Sequence, residues 1–158
     1  MNAPFIVTEA ANKDAASLAA LYADALPPGW PEAELAACCG DPRRALLKAT
    51  DGAHLRGFVL LQFAADEAEI LAIAVGRDGR RRGCAASLMQ AAINLCETKF
   101  VACIYLEVAE SNDPAKRLYE KFGFLAIARR QNYYRPARLA PETAIIMKRD
   151  ASLRSLGG

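Results

Sequence analysis

The chain reads as an α+β domain built around a mixed sheet. Short apolar stretches with strand patterning alternate with stretches of helical spacing. An Asp51-Gly52 hairpin signal marks an antiparallel first half, and residues 68–108 form one strand-loop-helix-strand unit of the kind that links parallel neighbours. With 158 residues there is room for one domain, placed at 1–150, and a short tail at 151–158.

In order along the chain, residues 5–8 predict a first strand. Asp14 predicts an N-cap for a helix running to about Leu26, whose apolar face is Ala15, Leu18, Leu21, Tyr22 and Ala25. Pro27-Pro28-Gly29-Trp30-Pro31 breaks that helix, and a second helix is expected over 31–39 with proline in its first turn. Residues 45–49 and 55–63 predict the two arms of the hairpin. Residues 68–75, apolar at nearly every position, predict a strand covered on both faces. A long helix follows from Gly83 to about Lys99, packing through Ala85, Leu88, Met89, Ala92 and Cys96. Residues 102–108 predict a strand, 114–122 a helix closed by Gly123, and 124–130 with 144–148 the last two strands. That makes about seven strands and about four helices.

Composition narrows the function classes. At 53% hydrophobic and 24% charged the chain can bury a core, which argues against disorder. A formal charge of +2 gives no bulk pull toward nucleic acid or a membrane surface, so neither is expected as a partner. The start lacks the pattern of a secretory signal, and no apolar run approaches a membrane span. Five cysteines and one histidine lack the paired spacing of a zinc site, so no metal is expected and the thiols read as reduced, in a cytoplasmic protein.

The informative junction is Val75-Gly76-Arg77-Asp78-Gly79-Arg80-Arg81-Arg82-Gly83-Cys84-Ala85-Ala86. A helix N-terminus carries unpaired backbone N–H groups and positive partial charge, which together stabilise an anion. Gly83, Ala85 and Ala86 let the main chain approach a bulky diphosphate, and the arginines, Arg81 and Arg82 among them, add positive field. The same residues also suit a plain glycine turn with a solvated basic face, and spacing alone leaves both readings open. No Gly-Lys-Ser/Thr follows, and three spaced glycines are lacking, so a Walker-type loop and a dinucleotide fingerprint are both disfavoured.

Arg80-x-x-Gly83-x-Ala85, set between an apolar strand and a helix, resembles the coenzyme A loop of the GNAT acetyltransferases. Ile73-Ala74-Val75 before it resembles the strand whose backbone meets pantetheine. Ser111-Asn112-Asp113-Pro114-Ala115 and Leu118-Tyr119-Glu120-Lys121-Phe122-Gly123-Phe124 resemble the last helix of that superfamily and its exit. The likeness runs over roughly residues 67–148. It implies the GNAT fold, acetyl-CoA as cosubstrate, and cofactor contacts from Ile73, Ala74, Val75, Arg81, Arg82, Gly83, Cys84, Ala85, Ala86 and Asn112.

In Ile104-Tyr105-Leu106-Glu107-Val108, alternation sets Tyr105 and Glu107 on the face opposite the three aliphatic residues. A carboxylate there is either an edge-strand group reaching water or a general base for an acceptor ammonium. Tyr119 suits packing between helix and sheet; the resemblance implies instead the acid that protonates the departing thiolate. Asn112 suits a helix cap, and the resemblance adds a hydrogen bond to coenzyme A. The implied reaction is direct attack in a ternary complex, with backbone N–H near Ala74 or Val75 at the oxyanion. An acyl-enzyme on Cys84 is the lesser alternative.

Within the superfamily the motifs are most similar to the RimI-like ribosomal-protein-alanine N-acetyltransferases. Residues 69–75, Leu106-Glu107-Val108, Trp30, Arg130-Gln131-Asn132-Tyr133-Tyr134 and Ala144-Ile145-Ile146-Met147 carry that likeness. It implies transfer to the N-terminal alanine of a protein, a small-subunit ribosomal protein among the candidates, by a monomer or weak dimer, with Asn132, Tyr133 and Tyr134 near the acceptor. Thr143 after Glu142, and the basic, proline-containing segment 135–141, depart from the group's usual acidic pair and glycine-rich link. Acetylation of a small-molecule amine or another protein amine is the alternative reading, and a coenzyme A-binding module without transferase activity is the third.

Overall fold

The computed structural model describes residues 5–25, 30–133 and 142–151. The elements are β1 (Ile6–Glu9), α1 (Ala15–Ala25), α2 (Glu32–Cys38), β2 (Arg44–Asp51), β3 (His54–Ala64), β4 (Glu67–Val75), α3 (Cys84–Thr98), β5 (Cys103–Ala109), α4 (Asp113–Lys121), β6 (Leu125–Tyr133) and β7 (Glu142–Asp150). The strands form one mixed sheet in the order β1-β2-β3-β4-β5-β7-β6. The sequence reading has the same element types in the same order.

Two compact units divide the chain. One comprises the residues up to Gln62 together with Leu71–Leu95, and the other Phe63–Ile70 with the chain from Cys96 onward. In the first, Ala15, Leu18, Leu35, Cys38, Leu46, Phe58, Leu60, Ala72 and Ala74 form the buried core, with Tyr22 and Trp30 packed against it. The β2–β3 hairpin closes through a two-residue turn, since Asp51 pairs with His54 and Gly52 adopts φ +66°. In the second unit β4 and β5 are parallel, from Glu67↔Cys103 to Ile70↔Leu106, while β5–β7 and β6–β7 are antiparallel.

Several local expectations are corrected. Asp14 does not cap α1: it ends a 3-10 turn, reaches back to accept from the Ala11 N–H at 2.8 Å, and pairs with Lys48 at 3.0 Å. Pro31 is the N-cap of α2 rather than part of its first turn. β4 is not covered on both faces. It buries Ala68, Ile70, Ala72 and Ala74 but leaves Leu71, Ile73 and Val75 only half-buried, so an apolar run does not by itself require full cover on both sides. Gly123 does close α4, at φ +89°, with the Phe124 N–H returning to the Tyr119 carbonyl at 3.1 Å.

Candidate active site

The first unit holds the end of β4 and the loop into α3. Gly57 on β3 makes room for this strand: a Cβ there would lie 2.6 Å from the Ala74 carbonyl oxygen and 3.2 Å from Cys84 Sγ. The main chain of the loop is pinned to the same segment, Gly76 N–H donating to the Arg56 carbonyl at 2.8 Å. Beyond a 3-10 turn at Arg77–Gly79, Arg81 and Gly83 adopt φ +61° and +85°, and α3 opens at Cys84. Nothing lies within 4 Å of where a Gly83 Cβ would stand. The first intrahelical bond runs from Ser87 N–H to the Gly83 carbonyl, so the N–H groups of the turn before it have no intrahelical acceptor. An open glycine, small side chains at Ala85 and Ala86, and unspent main-chain donors suit a diphosphate.

The arginines of the loop are not all turned to solvent. Arg82 Nη1 lies 2.8 Å from Asp51 Oδ2, the same group donates to the Asp78 carbonyl, and the guanidinium sits 5.0 Å from the Phe5 ring centroid. Arg56 Nε holds both oxygens of Asp51 at 3.0 Å, and Arg80 Nε donates to the Val75 carbonyl at 3.2 Å. The hydrogen bond from Arg56, and after it that from Arg82, holds the Asp51 carboxyl below its usual range. Arg82 thus braces the loop, and Arg81 is its exposed neighbour. Asp51 and Arg56 escaped the sequence reading because a turn aspartate and a strand arginine carry no signal of their own.

Cys84 is buried, and burial pushes its thiol up to about 11. Such a thiol is neutral near pH 7, which disfavours an acyl-cysteine route. The five cysteines are free, and no group of three or more His, Cys, Asp or Glu side chains suited to a metal occurs among the described residues.

The second unit holds Glu107, Asn112 and Tyr119. Burial alternates along β5 as expected, with Ile104, Leu106 and Val108 buried and Tyr105 and Glu107 half-buried. However, β5 lies between β4 and β7, so the edge-strand explanation of Glu107 falls away. Its Oε1 accepts from Arg130 Nη1 at 3.0 Å. Glu69 stands opposite Tyr105; its side chain is exposed, and its carboxyl is pushed up by partial desolvation and then by the charge of Glu107. Sequence reasoning named neither Glu69 nor Arg130 as a candidate.

Asn112 caps α4, its Oδ1 accepting from Ala115 N–H at 3.2 Å. Tyr119, 6% exposed, stacks edge-on with Phe124 at 6.1 Å, and burial pushes its phenol up to about 12. Beside them Ser111 Oγ donates to Glu142 Oε1 at 2.5 Å, Glu110 N–H to the Thr143 carbonyl at 2.9 Å, and Arg129 pairs with Glu110. Asn132 and Tyr133 end β6, while Tyr134, segment 135–141 and tail 152–158 lie outside the described residues. The candidates therefore assemble as two groups: Ile73, Ala74, Val75, Arg81, Arg82, Gly83, Cys84, Ala85 and Ala86 in one unit, and Glu107, Asn112 and Tyr119 in the other.

No helix of the described residues is long and apolar enough to cross a membrane. Among known proteins, the chain is 41% identical to the [ribosomal protein bS18]-alanine N-acetyltransferase of Salmonella typhimurium, over 64% of this chain and 68% of that one. It is 36% identical to the protein of the same name from Escherichia coli, over 75% and 78%. The crystal structure of the Escherichia coli ribosomal-protein-S18-alanine N-acetyltransferase superposes with a TM-score of 0.84 at 31% identity, covering 93% of this chain and 94% of that one. A family model, the acetyltransferase (GNAT) family, matches residues 15–124. With the loop, the strand before it and the capped last helix all inside or beside that span, the chain belongs to the GNAT family of acetyltransferases.

Proposed function

We propose that this enzyme moves the acetyl group of acetyl-CoA onto the α-amine of an N-terminal alanine in a ribosomal protein. The observation that carries the reading is the 36–41% identity to alanine N-acetyltransferases of ribosomal protein bS18, across most of those chains. On this reading the reaction is cytoplasmic, and residues 1–150 act together as one acetyltransferase domain.

Each candidate side chain takes one task. Main-chain N–H groups at Gly83, Cys84, Ala85 and Ala86 hold the diphosphate, with Arg81 adding charge and Arg82 keeping the loop in shape. Ile73, Ala74 and Val75 present strand backbone to the pantetheine arm and thioester. What supports this is that Ile73 and Val75 are half-buried at the end of β4, directly before the loop. Backbone N–H near Ala74 or Val75 then meets the oxyanion. Asn112 contributes its remaining donors to coenzyme A.

Glu107, directly or through water, takes a proton from the acceptor. An α-ammonium has a pKa of about 7.7–8.0, so freeing the amine at pH 7 costs about 1 kcal/mol and a modest base suffices. The amine nitrogen bonds to the thioester carbon and the C–S bond breaks. Of the two protons the nitrogen loses, one passes through Glu107 to water and the other balances the one Tyr119 gives to sulfur. A phenol at about 12 stays protonated between turnovers. It lies roughly three units above an ordinary thiol, so Tyr119 donates only as sulfur charge develops.

The test is thiol release from acetyl-CoA with peptides beginning in alanine, set against polyamines and aminoglycosides. The reading expects the alanine peptides to lead by about 100-fold in kcat/KM. A polyamine or aminoglycoside leading by that margin contradicts it.

A further inference from the structure

Side chains two apart on a strand, or opposite one another across a ladder, share a face of the sheet. Starting from Glu107, that face runs through Tyr105 on the same strand to Glu69 on β4, paired with Tyr105. On the other side Tyr105 pairs with Lys148 and Glu107 with Ile146 of β7, and two residues along Ala144 pairs with Arg130 of β6. The charged and titratable groups set around Glu107 are therefore Glu69, Tyr105, Arg130, Lys148 and Glu142. Lys148 is engaged with Asp150 at 3.5 Å and lies 5.6 Å from the Tyr105 ring centroid, while Glu142 accepts from Ser111. Arg130 is the cation bonded to Glu107 itself, Nη1 to Oε1, at 3.0 Å.

Two carboxylates share this strand face, and the Arg130 guanidinium reaches the one of Glu107. A carboxylate offers about four acceptor sites, and a single N–H from Arg130 takes one. Glutamate also has a mobile side chain, and a partner on one oxygen limits its rotamers. We propose that Arg130 is the positioning residue of Glu107: it fixes the carboxylate through Oε1 and leaves Oε2 to meet the acceptor ammonium. This rests on the reading of Glu107 as proton acceptor.

The experiment is the dependence of kcat on pH, with an alanine-starting peptide and acetyl-CoA both saturating. It compares the wild type with Glu107→Gln, Arg130→Gln, Arg130→Lys, Glu69→Gln and the Glu107→Gln/Arg130→Gln double variant. Glu107→Gln removes the acid-side inflection. Arg130→Gln moves that inflection up by about one pH unit, as expected when a charge within hydrogen-bond distance is lost. It lowers kcat at pH 7 about tenfold and leaves KM for acetyl-CoA within about twofold. Glu69→Gln moves the inflection the other way. Arg130→Lys, which keeps the charge but not the fork, restores the inflection and part of kcat. In the Glu107→Gln background, Arg130→Gln has no added effect.

If Glu107→Gln removes the inflection but Arg130→Gln leaves it unmoved, the role of Arg130 is overturned and that of Glu107 stands. An inflection that survives Glu107→Gln overturns the base assignment, and the Arg130 proposal with it. Should Arg130→Gln fail to fold, Arg130→Lys still decides: an inflection displaced by a full unit despite the retained charge overturns the proposal, and an unmoved one supports it.

Discussion

Arg82 Nη1 and Asp51 Oδ2 lie 2.8 Å apart, joining the end of the loop before α3 to the hairpin of β2 and β3. Arg56 shares the same carboxylate, so the loop conformation depends on a charge drawn from another element.

Asp51→Asn should leave kcat within about twofold but raise KM for acetyl-CoA about fivefold, because the loop loses its brace and not its donors. The pH dependence has a definite sign. The Asp51 carboxyl is held below its usual range in the folded chain, chiefly by the Arg56 hydrogen bond. Its contribution is present above the unfolded carboxylate range of about 4 and is lost as pH falls through the lower folded value. Thermal melts between pH 7 and pH 3 should therefore show a smaller acid-induced drop in Asp51→Asn than in the wild type.

Gly83→Ala places a side chain at φ +85°, where L-residues are strained by about 1–2 kcal/mol, and fills the open approach above the loop. Titration with coenzyme A should show affinity reduced about tenfold or more. Gly57→Ala differs in kind: its Cβ would meet the Ala74 carbonyl at 2.6 Å, and overpacking of this sort costs about 1–3 kcal/mol. Its melting temperature should fall by about 3–10 °C.

Cys84→Ala should retain kcat within about threefold. A buried thiol pushed up to about 11 is ionised at about one part in a thousand at pH 8, so it is a poor acyl carrier. Mass spectrometry of wild type quenched during turnover should find no acetyl group on that side chain.

Tyr119→Phe keeps the edge contact with Phe124 and removes only the hydroxyl. It should lower kcat by about 100-fold while KM for acetyl-CoA changes little. With the phenol pushed up to about 12 by burial, loss of its proton should leave the rate profile untouched below pH 10.

Much of this was legible in the residues. The strand, loop and helix around Gly83 were legible as elements, and the alternation in Ile104-Tyr105-Leu106-Glu107-Val108 read correctly as two faces. Asp14 misled, because an acidic residue before a helix scores alike as cap or as the third residue of a preceding turn. The partnership of Arg130 with Glu107 was hidden more deeply. The two are 23 residues apart, and a strict period of two would set Leu125 and Arg130 on opposite faces of β6. The register shift between Ala126 and Ala128 inserts one residue and turns Arg130 to the side of Glu107. Bulges of that kind depend on the neighbouring strand, so a local pattern does not reveal them.

A crystal structure with acetyl-CoA bound tests the central claim most directly. The account predicts the diphosphate on the N–H groups of residues 83–86, with the thioester carbonyl at the backbone of Ala74 or Val75 and its sulfur within reach of the Tyr119 hydroxyl. A diphosphate held elsewhere, or a thioester remote from Tyr119, would contradict it.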